Sequence, residues 1–165
     1  MFGRGTPTAG LASGTARSNA VANGGFEDAG PPGSLAAGWS PYHGERAAAQ
    51  SHIRLDRSNP RSGERALLVR PAVEGARAGA QTTIKLGPGR WELRAWACAD
   101  VGQKAQVQAQ LAGKELPALA IGDDWARLGG VVDVEKPLAG ASLRLWSATP
   151  QVRVWFDDVE VVPAD

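Results

Sequence analysis

The sequence is poor in the residues that carry most side-chain chemistry. It has a single cysteine, Cys98, so no intramolecular disulfide and no cysteine-built zinc cluster is available. A lone cysteine of this kind reads as a small buried apolar residue. There are two histidines, His43 and His52, and neither stands in a nucleophile motif. Ser51 directly precedes His52, but neighbours on a strand point to opposite faces and do not pair for catalysis. No segment approaches the roughly 20 apolar residues of a membrane-crossing helix, and the first 22 residues hold no apolar run of signal-peptide type. Membrane insertion is therefore not expected. An excess of one charge is lacking too: 18 Lys plus Arg face 17 Asp plus Glu, a net charge of +1. Steering toward nucleic acid or an anionic membrane by bulk charge is excluded.

What is present points to strands. The chain has 165 residues and 17.2 kDa, enough for one domain. It carries 21 Gly, 11 Pro and 6 Trp, a mixture that suits many short strands joined by tight turns. Residues 1–22 are small and polar, without an acidic residue or a period of 2 or 3.6, and read as an extended arm. The glycines of this arm lack the Lys-Ser/Thr ending of a phosphate loop. From Asn23 to Asp165 the pattern becomes short alternating runs. Strands are predicted over 51–55, 65–69, 81–86, 90–99, 104–111, 125–134, 141–146 and 152–162, with Gly87-Pro88-Gly89 as a reversal. The fold class that follows is all-β, an antiparallel two-sheet β-sandwich or jelly roll with an N-terminal arm.

Period 2 assigns faces. Val107, Ala109 and Leu111 oppose Gln106, Gln108 and Gln110. Trp91, Leu93, Ala95 and Ala97 oppose Arg94, Trp96 and Cys98. Leu143 and Leu145 oppose Arg144 and Trp146, and Val154 and Phe156 oppose Arg153, Trp155 and Asp157. The inward phase then moves to Val159 and Val161, which predicts a bulge at Asp157-Asp158. Trp39 and Trp91 are expected in the core.

Several motifs, in order, carry a resemblance. Asn23-Gly24-Gly25-Phe26-Glu27 opens the domain, Gly38-Trp39 follows, and Ser62-Gly63 precedes Ala66-Leu67-Leu68-Val69. Leu86-Gly87-Pro88-Gly89-Arg90-Trp91-Glu92-Leu93-Arg94-Ala95-Trp96 comes next, then Trp125, and Phe156-Asp157-Asp158-Val159 closes the series. Together they resemble the carbohydrate-binding modules attached to xylanases and cellulases, with the galactose-binding-domain-like jelly roll. The resemblance spans residues 23–163. It implies a non-catalytic sandwich and a structural Ca²⁺ held by Glu27 and Asp157 with backbone oxygens around residues 62–65. Calcium takes hard oxygen ligands of this type. The alternative is that these carboxylates are satisfied by backbone N–H groups or by arginine.

Sugar binding in such modules uses aromatic faces against pyranose rings and planar polar groups on the hydroxyls. Trp96, Trp146 and Trp155, with Arg94, Gln106, Gln108 and Gln110, are the residues expected to do this, since indole offers apolar area and the amides both donate and accept. The same tryptophans would equally fill a face against a loop, the arm or a neighbouring subunit. The paired carboxylates Asp123-Asp124 and Asp157-Asp158 are sequence neighbours, whereas glycoside hydrolysis needs two carboxyls about 5 to 9.5 Å apart across a cleft; no enzyme is expected. Arg46, Arg54, Arg57, Arg61, Arg65 and Arg70 form a basic stretch without stacking aromatics, so nucleic acid is not expected as a partner either. Two roles follow. One is a structural component of a larger particle such as a bacteriophage virion, a capsid decoration or tail-associated protein in an extracellular assembly, whose arm docks on neighbouring subunits. The opening Met1 and the lack of a hydrophobic leader fit that role. The other is a module binding polysaccharide or cell-surface glycan.

Overall fold

The computed structural model describes residues 19–31, 35–43 and 51–164. Among them are eleven strands and no helix: β1 (Ser40–His43), β2 (His52–Asp56), β3 (Ala66–Arg70), β4 (Ala78–Leu86), β5 (Gly89–Ala99), β6 (Ala105–Leu111), β7 (Lys114–Glu115), β8 (Leu119–Ile121), β9 (Ala126–Val134), β10 (Leu138–Ser147) and β11 (Val154–Pro163). They form two sheets in which every pairing is antiparallel. The first runs β9-β5-β11-β3-β2 and the second β1-β4-β10-β6-β7, with β8 also paired to β6. The sandwich predicted from alternation is the fold. Its arm, as far as residue 18, and Arg46 of the basic stretch lie outside the described residues.

The inward stripes are those of the period-2 reading. Leu67, Val69, Leu93, Ala95, Ala97, Val154 and Phe156 of the first sheet meet Ala78, Ala80, Ile84, Leu86, Val107, Ala109, Leu111, Leu143 and Leu145 of the second, all buried in one core. Trp39 joins that core, while Trp91 is half-buried at its edge with its indole N–H on the Gly87 carbonyl at 2.9 Å. Gly87-Pro88 does reverse the chain, but it carries it from β4 in the second sheet to β5 in the first instead of closing a hairpin. The hairpin turn that alternation did not show is Ala112-Gly113. With φ of 53° and 84° these two residues join β6 to β7, the geometry of a type I′ turn.

Residues 19–22, assigned to the arm from composition, belong to the sandwich. Ala20 donates its N–H to the Val161 carbonyl at 2.9 Å, and the Asn19 side chain accepts from the Val161 N–H at 2.9 Å. Gly24 continues this contact by accepting from the Val159 N–H at 2.9 Å, and a Cβ on Gly24 would lie 1.9 Å from the Val159 oxygen. The opening motif is thus laid against the last strand where β11 slips register between Asp157 and Glu160, the predicted bulge. Next to it Asn23 clasps the following loop, its amide donating to the Asp28 and Ala37 carbonyls at 2.8 and 2.9 Å. Phe26 is fully buried and meets Trp39 with ring centroids 5.0 Å apart.

Removing the Phe26 ring would leave a void at this junction. Phe26→Ala is expected to lower stability by about 3–5 kcal/mol, read as a shift of the urea unfolding midpoint at unchanged slope. A loss under about 1 kcal/mol would mean that the opening motif contributes little to the core.

Candidate functional site

The sandwich has two outer faces, and the residues singled out from the sequence divide between them. Trp96, Trp155 and Arg94 stand on β5 and β11 in the first sheet. Trp146, Gln106, Gln108 and Gln110 stand on β10 and β6 in the second. These candidates therefore lie on two faces on opposite sides of the protein. Alternation tells which residues point away from the core, but not to which sheet a strand belongs.

The face of the first sheet is partly covered, with a cleft of about 370 Å³ left between Trp155, Arg153 and Asp123. Arg94 is held between Glu92 at 2.8 Å and Glu160 at 3.2 Å. The Arg61 guanidinium lies 3.7 Å from the Trp96 ring centroid and pairs with Asp158 at 2.9 Å. Trp155 is buried against Ala66, Leu68 and Trp125, with its indole N–H donated to Asp56 at 2.9 Å. Cys98 is buried here too, and burial pushes its thiol pKa up, away from reactivity. The segment between β2 and β3, residues 57–65, covers much of this face. It is held by the two carboxylates that the resemblance assigned to calcium. Asp157, fully buried, accepts the backbone N–H groups of Arg61 at 2.9 Å, Ser62 at 3.2 Å and Asp158 at 2.8 Å. Glu27 accepts those of Glu64 at 2.9 Å and Arg65 at 3.2 Å. Burial pushes the Asp157 pKa from 3.8 up to about 6, against the pull of its N–H donors and with a smaller push from the neighbouring Asp158 charge.

The face of the second sheet is polar and partly open. Strand register lines up two rows across it. One row runs Ser40, Gln81, Arg144, Gln110, and the other Tyr42, Gly79, Trp146, Gln108. Tyr42 and Trp146 meet over Gly79, with ring centroids 5.6 Å apart and planes inclined at 55°. Gly79 is required because a Cβ there would lie 1.6 Å from the Leu145 oxygen. Trp146 is only 2% exposed, covered by Tyr42 and by Arg77, whose guanidinium is 4.9 Å from its ring. Tyr42, half-buried, is the ring that solvent reaches. Arg144 lies 5.0 Å from the Tyr42 ring and donates to Gln81 at 3.1 Å and Gln110 at 3.4 Å. Gln108 donates to the Leu116 carbonyl at 2.9 Å, and Gln106 is exposed beyond the rows. Beside Arg144 a groove of about 600 Å³ opens between β4 and residues 36–40. Tyr42 and Gln81 escaped the sequence reading for the same reason: β1 is short and contains Pro41, tolerable on an edge strand, and the threonines and glycine of β4 blurred its start.

His43 and His52 are exposed on different strands, and the Ser51 hydroxyl accepts the Ala72 N–H at 3.1 Å.

No protein-family model and no curated protein sequence matches the chain. Solved structures do. The CBM22-1 xylan-binding domain of Paenibacillus barcinonensis Xyn10C superposes with a TM-score of 0.61 at 14% identity, over 84% of this chain and 90% of that one. TmCBM61, solved with β-1,4-galactotriose, gives 0.62 at 16% identity over 89% and 99%. The fold is that of the carbohydrate-binding jelly rolls. A domain of tailspike protein 4 from bacteriophage CBA120 shares it, with a TM-score of 0.60 and 14% identity over 88% of this chain and 21% of that one. At these identities the likeness is one of fold.

A jelly roll of this type raises the question of calcium, and the donor set does not suit it. The 61–65 segment turns N–H groups toward Glu27 and Asp157, where a cation would need oxygens, and no cluster of three or more acidic, His or Cys side chains forms among the described residues. The two carboxylates act as acceptors that fasten a loop. Asp157→Ala is accordingly expected to cost about 1–3 kcal/mol by stranding buried N–H donors, and Glu27→Ala less, equally in calcium and in chelator. A melting temperature that rises with calcium in the unmodified protein, and no longer does so in these variants, would return both carboxylates to a cation.

Proposed function

We propose that the chain is a non-catalytic glycan-binding module that takes a polysaccharide across the outer face of the second sheet. The observation that carries this reading is the Ser40, Gln81, Arg144, Gln110 row, lying beside the Tyr42 ring and a groove of about 600 Å³. Amide and guanidinium groups set at strand spacing can bond successive hydroxyls, and the phenol supplies a face for a pyranose ring. Similar folds that bind xylan or galactotriose support it, as does the covering of Trp96 on the opposite face by Arg61. In affinity gels containing xylan, galactan or mixed-linkage glucan, the unmodified protein should be retarded by at least one polymer. Tyr42→Ala and Arg144→Ala should each weaken that retardation at least tenfold, about 1.4 kcal/mol, while Trp96→Ala leaves it unchanged. Retardation lost with Trp96 and kept without Tyr42 would move the site to the first sheet.

Assembly is a second reading, favoured by the way the chain enters the sandwich. Asn19 and Ala20 are fixed on β11, and an arm formed by the residues before them would dock on neighbouring subunits of a virion or another extracellular particle. Deleting residues 1–18 should leave a folded monomer and abolish any larger species seen by light scattering for the full chain. Identical masses for the two proteins would remove this reading.

A further inference from the structure

The charged groups of the sandwich are sorted by sheet. In the first sheet, β2, β5, β9 and β11 carry the carboxylates Asp56, Glu92, Asp133, Asp157, Asp158 and Glu160. In the second, β1, β4, β6 and β10 contain no Asp or Glu at all, and Glu115 on the two-residue edge strand β7 stands alone. The arginines follow this division only in part, since Arg70 on β3, which donates to Gln151, and Arg127 on β9 of the first sheet also have no carboxylate partner among the described residues. On and around the first sheet Arg54, Arg57, Arg61, Arg90, Arg94 and Arg153 each pair with a carboxylate at 2.8–3.9 Å. Arg144 and Arg77, on the second, have no carboxylate partner among the described residues. Among the described residues Arg144 is the only charged side chain lining the groove beside it.

Arg144 is also oriented. Its Nε–H goes to Gln81 and one Nη1 hydrogen to Gln110, so neutral amides grip it from both neighbouring strands and leave its charge uncompensated. A guanidinium has five N–H donors, and three remain here for a ligand. A half-buried, amide-braced guanidinium with a free pair of N–H groups is matched by a carboxylate, which accepts two parallel hydrogen bonds and supplies the missing charge. A neutral sugar hydroxyl would supply neither.

We infer that the polysaccharide bound on the second sheet is acidic, and that Arg144 receives the carboxylate of a uronic acid residue, with Arg77 adding positive charge along the same face. The inference rests on the glycan-binding reading and narrows its ligand class.

The test compares polymers that differ only in the carboxyl group: glucuronoxylan and polygalacturonate, each beside its carboxyl-reduced form, titrated calorimetrically into the full chain. At least one native polymer should bind, and its reduction should weaken the affinity at least tenfold. Arg144→Gln should bring native and reduced polymers to the same weak affinity. Lys85→Gln, which removes an exposed positive charge from β4 away from the row, should preserve the difference and so exclude simple polyanion attraction. Equal affinity of the unmodified protein for native and reduced polymers, or binding to neutral polymers alone, would overturn the acidic ligand and keep the glycan site. A lesser difference in Lys85→Gln matching that in Arg144→Gln would overturn the role of Arg144. Binding to no polymer, acidic or neutral, would overturn the glycan reading itself.

Discussion

The carboxylate of Asp157, wholly buried where the last strand slips register, gathers the N–H groups of Arg61, Ser62 and Asp158 and so fixes the segment after β2 against the first sheet. Much of the molecule's organisation depends on this. The same segment carries Arg61 over Trp96 and, through Glu64 and Arg65, ties down Glu27 of the opening motif. Chain start, chain end and one sheet face are joined at a single place. Buried polar groups persist only where their partners are supplied, and here the partners are backbone donors from a loop that is also tied by Arg61 and Ser62 to Asp158 and by Arg65 to the Glu27 carbonyl.

With part of the first face covered by the protein's own loop, the proposed recognition is assigned to the second. That face is built by register more than by any one motif: four strands far apart in the sequence bring Ser40, Gln81, Arg144 and Gln110 into one line. The arrangement is held from beneath by aliphatic packing of Leu143 and Leu145 and from the side by amide–guanidinium hydrogen bonds. Such a row is rigid without being closed, which suits a ligand that is itself a repeating chain.

Much of the fold could be read from the sequence because alternation is a local property. The inward stripes and the bulge at Asp157-Asp158 follow from which side of its own strand a residue takes. The site could not be read in the same way. Trp96 and Trp146 share a period, a flanking arginine and a residue type, yet they lie on opposite faces, because sheet membership is decided by long-range pairing that a turn such as Gly87-Pro88 does not disclose. Trp146 looked exposed by alternation and is instead covered by Tyr42 and Arg77, residues from two other segments. The resemblance groups Glu27 and Asp157 as calcium ligands, with backbone N–H groups or arginine as the alternative, and in the structure both accept N–H groups of the 61–65 segment. What meets them, N–H or oxygen, depends on backbone orientation in the 61–65 segment, which composition does not encode.

The sorting of carboxylates onto one sheet also has an effect at long range. A molecule with a net charge of +1 has almost no monopole field, and the carboxylates of the first layer are largely matched by arginines on its own strands, but the strands of the second sheet carry Lys85, Lys114 and Arg144 against Glu115 alone, which leaves that face the more positive of the two. Near a negatively charged polymer such a molecule experiences a torque before it experiences much attraction. It turns its second sheet forward within about a Debye length of the surface, roughly 8 Å at physiological salt, and so arrives already oriented for contact.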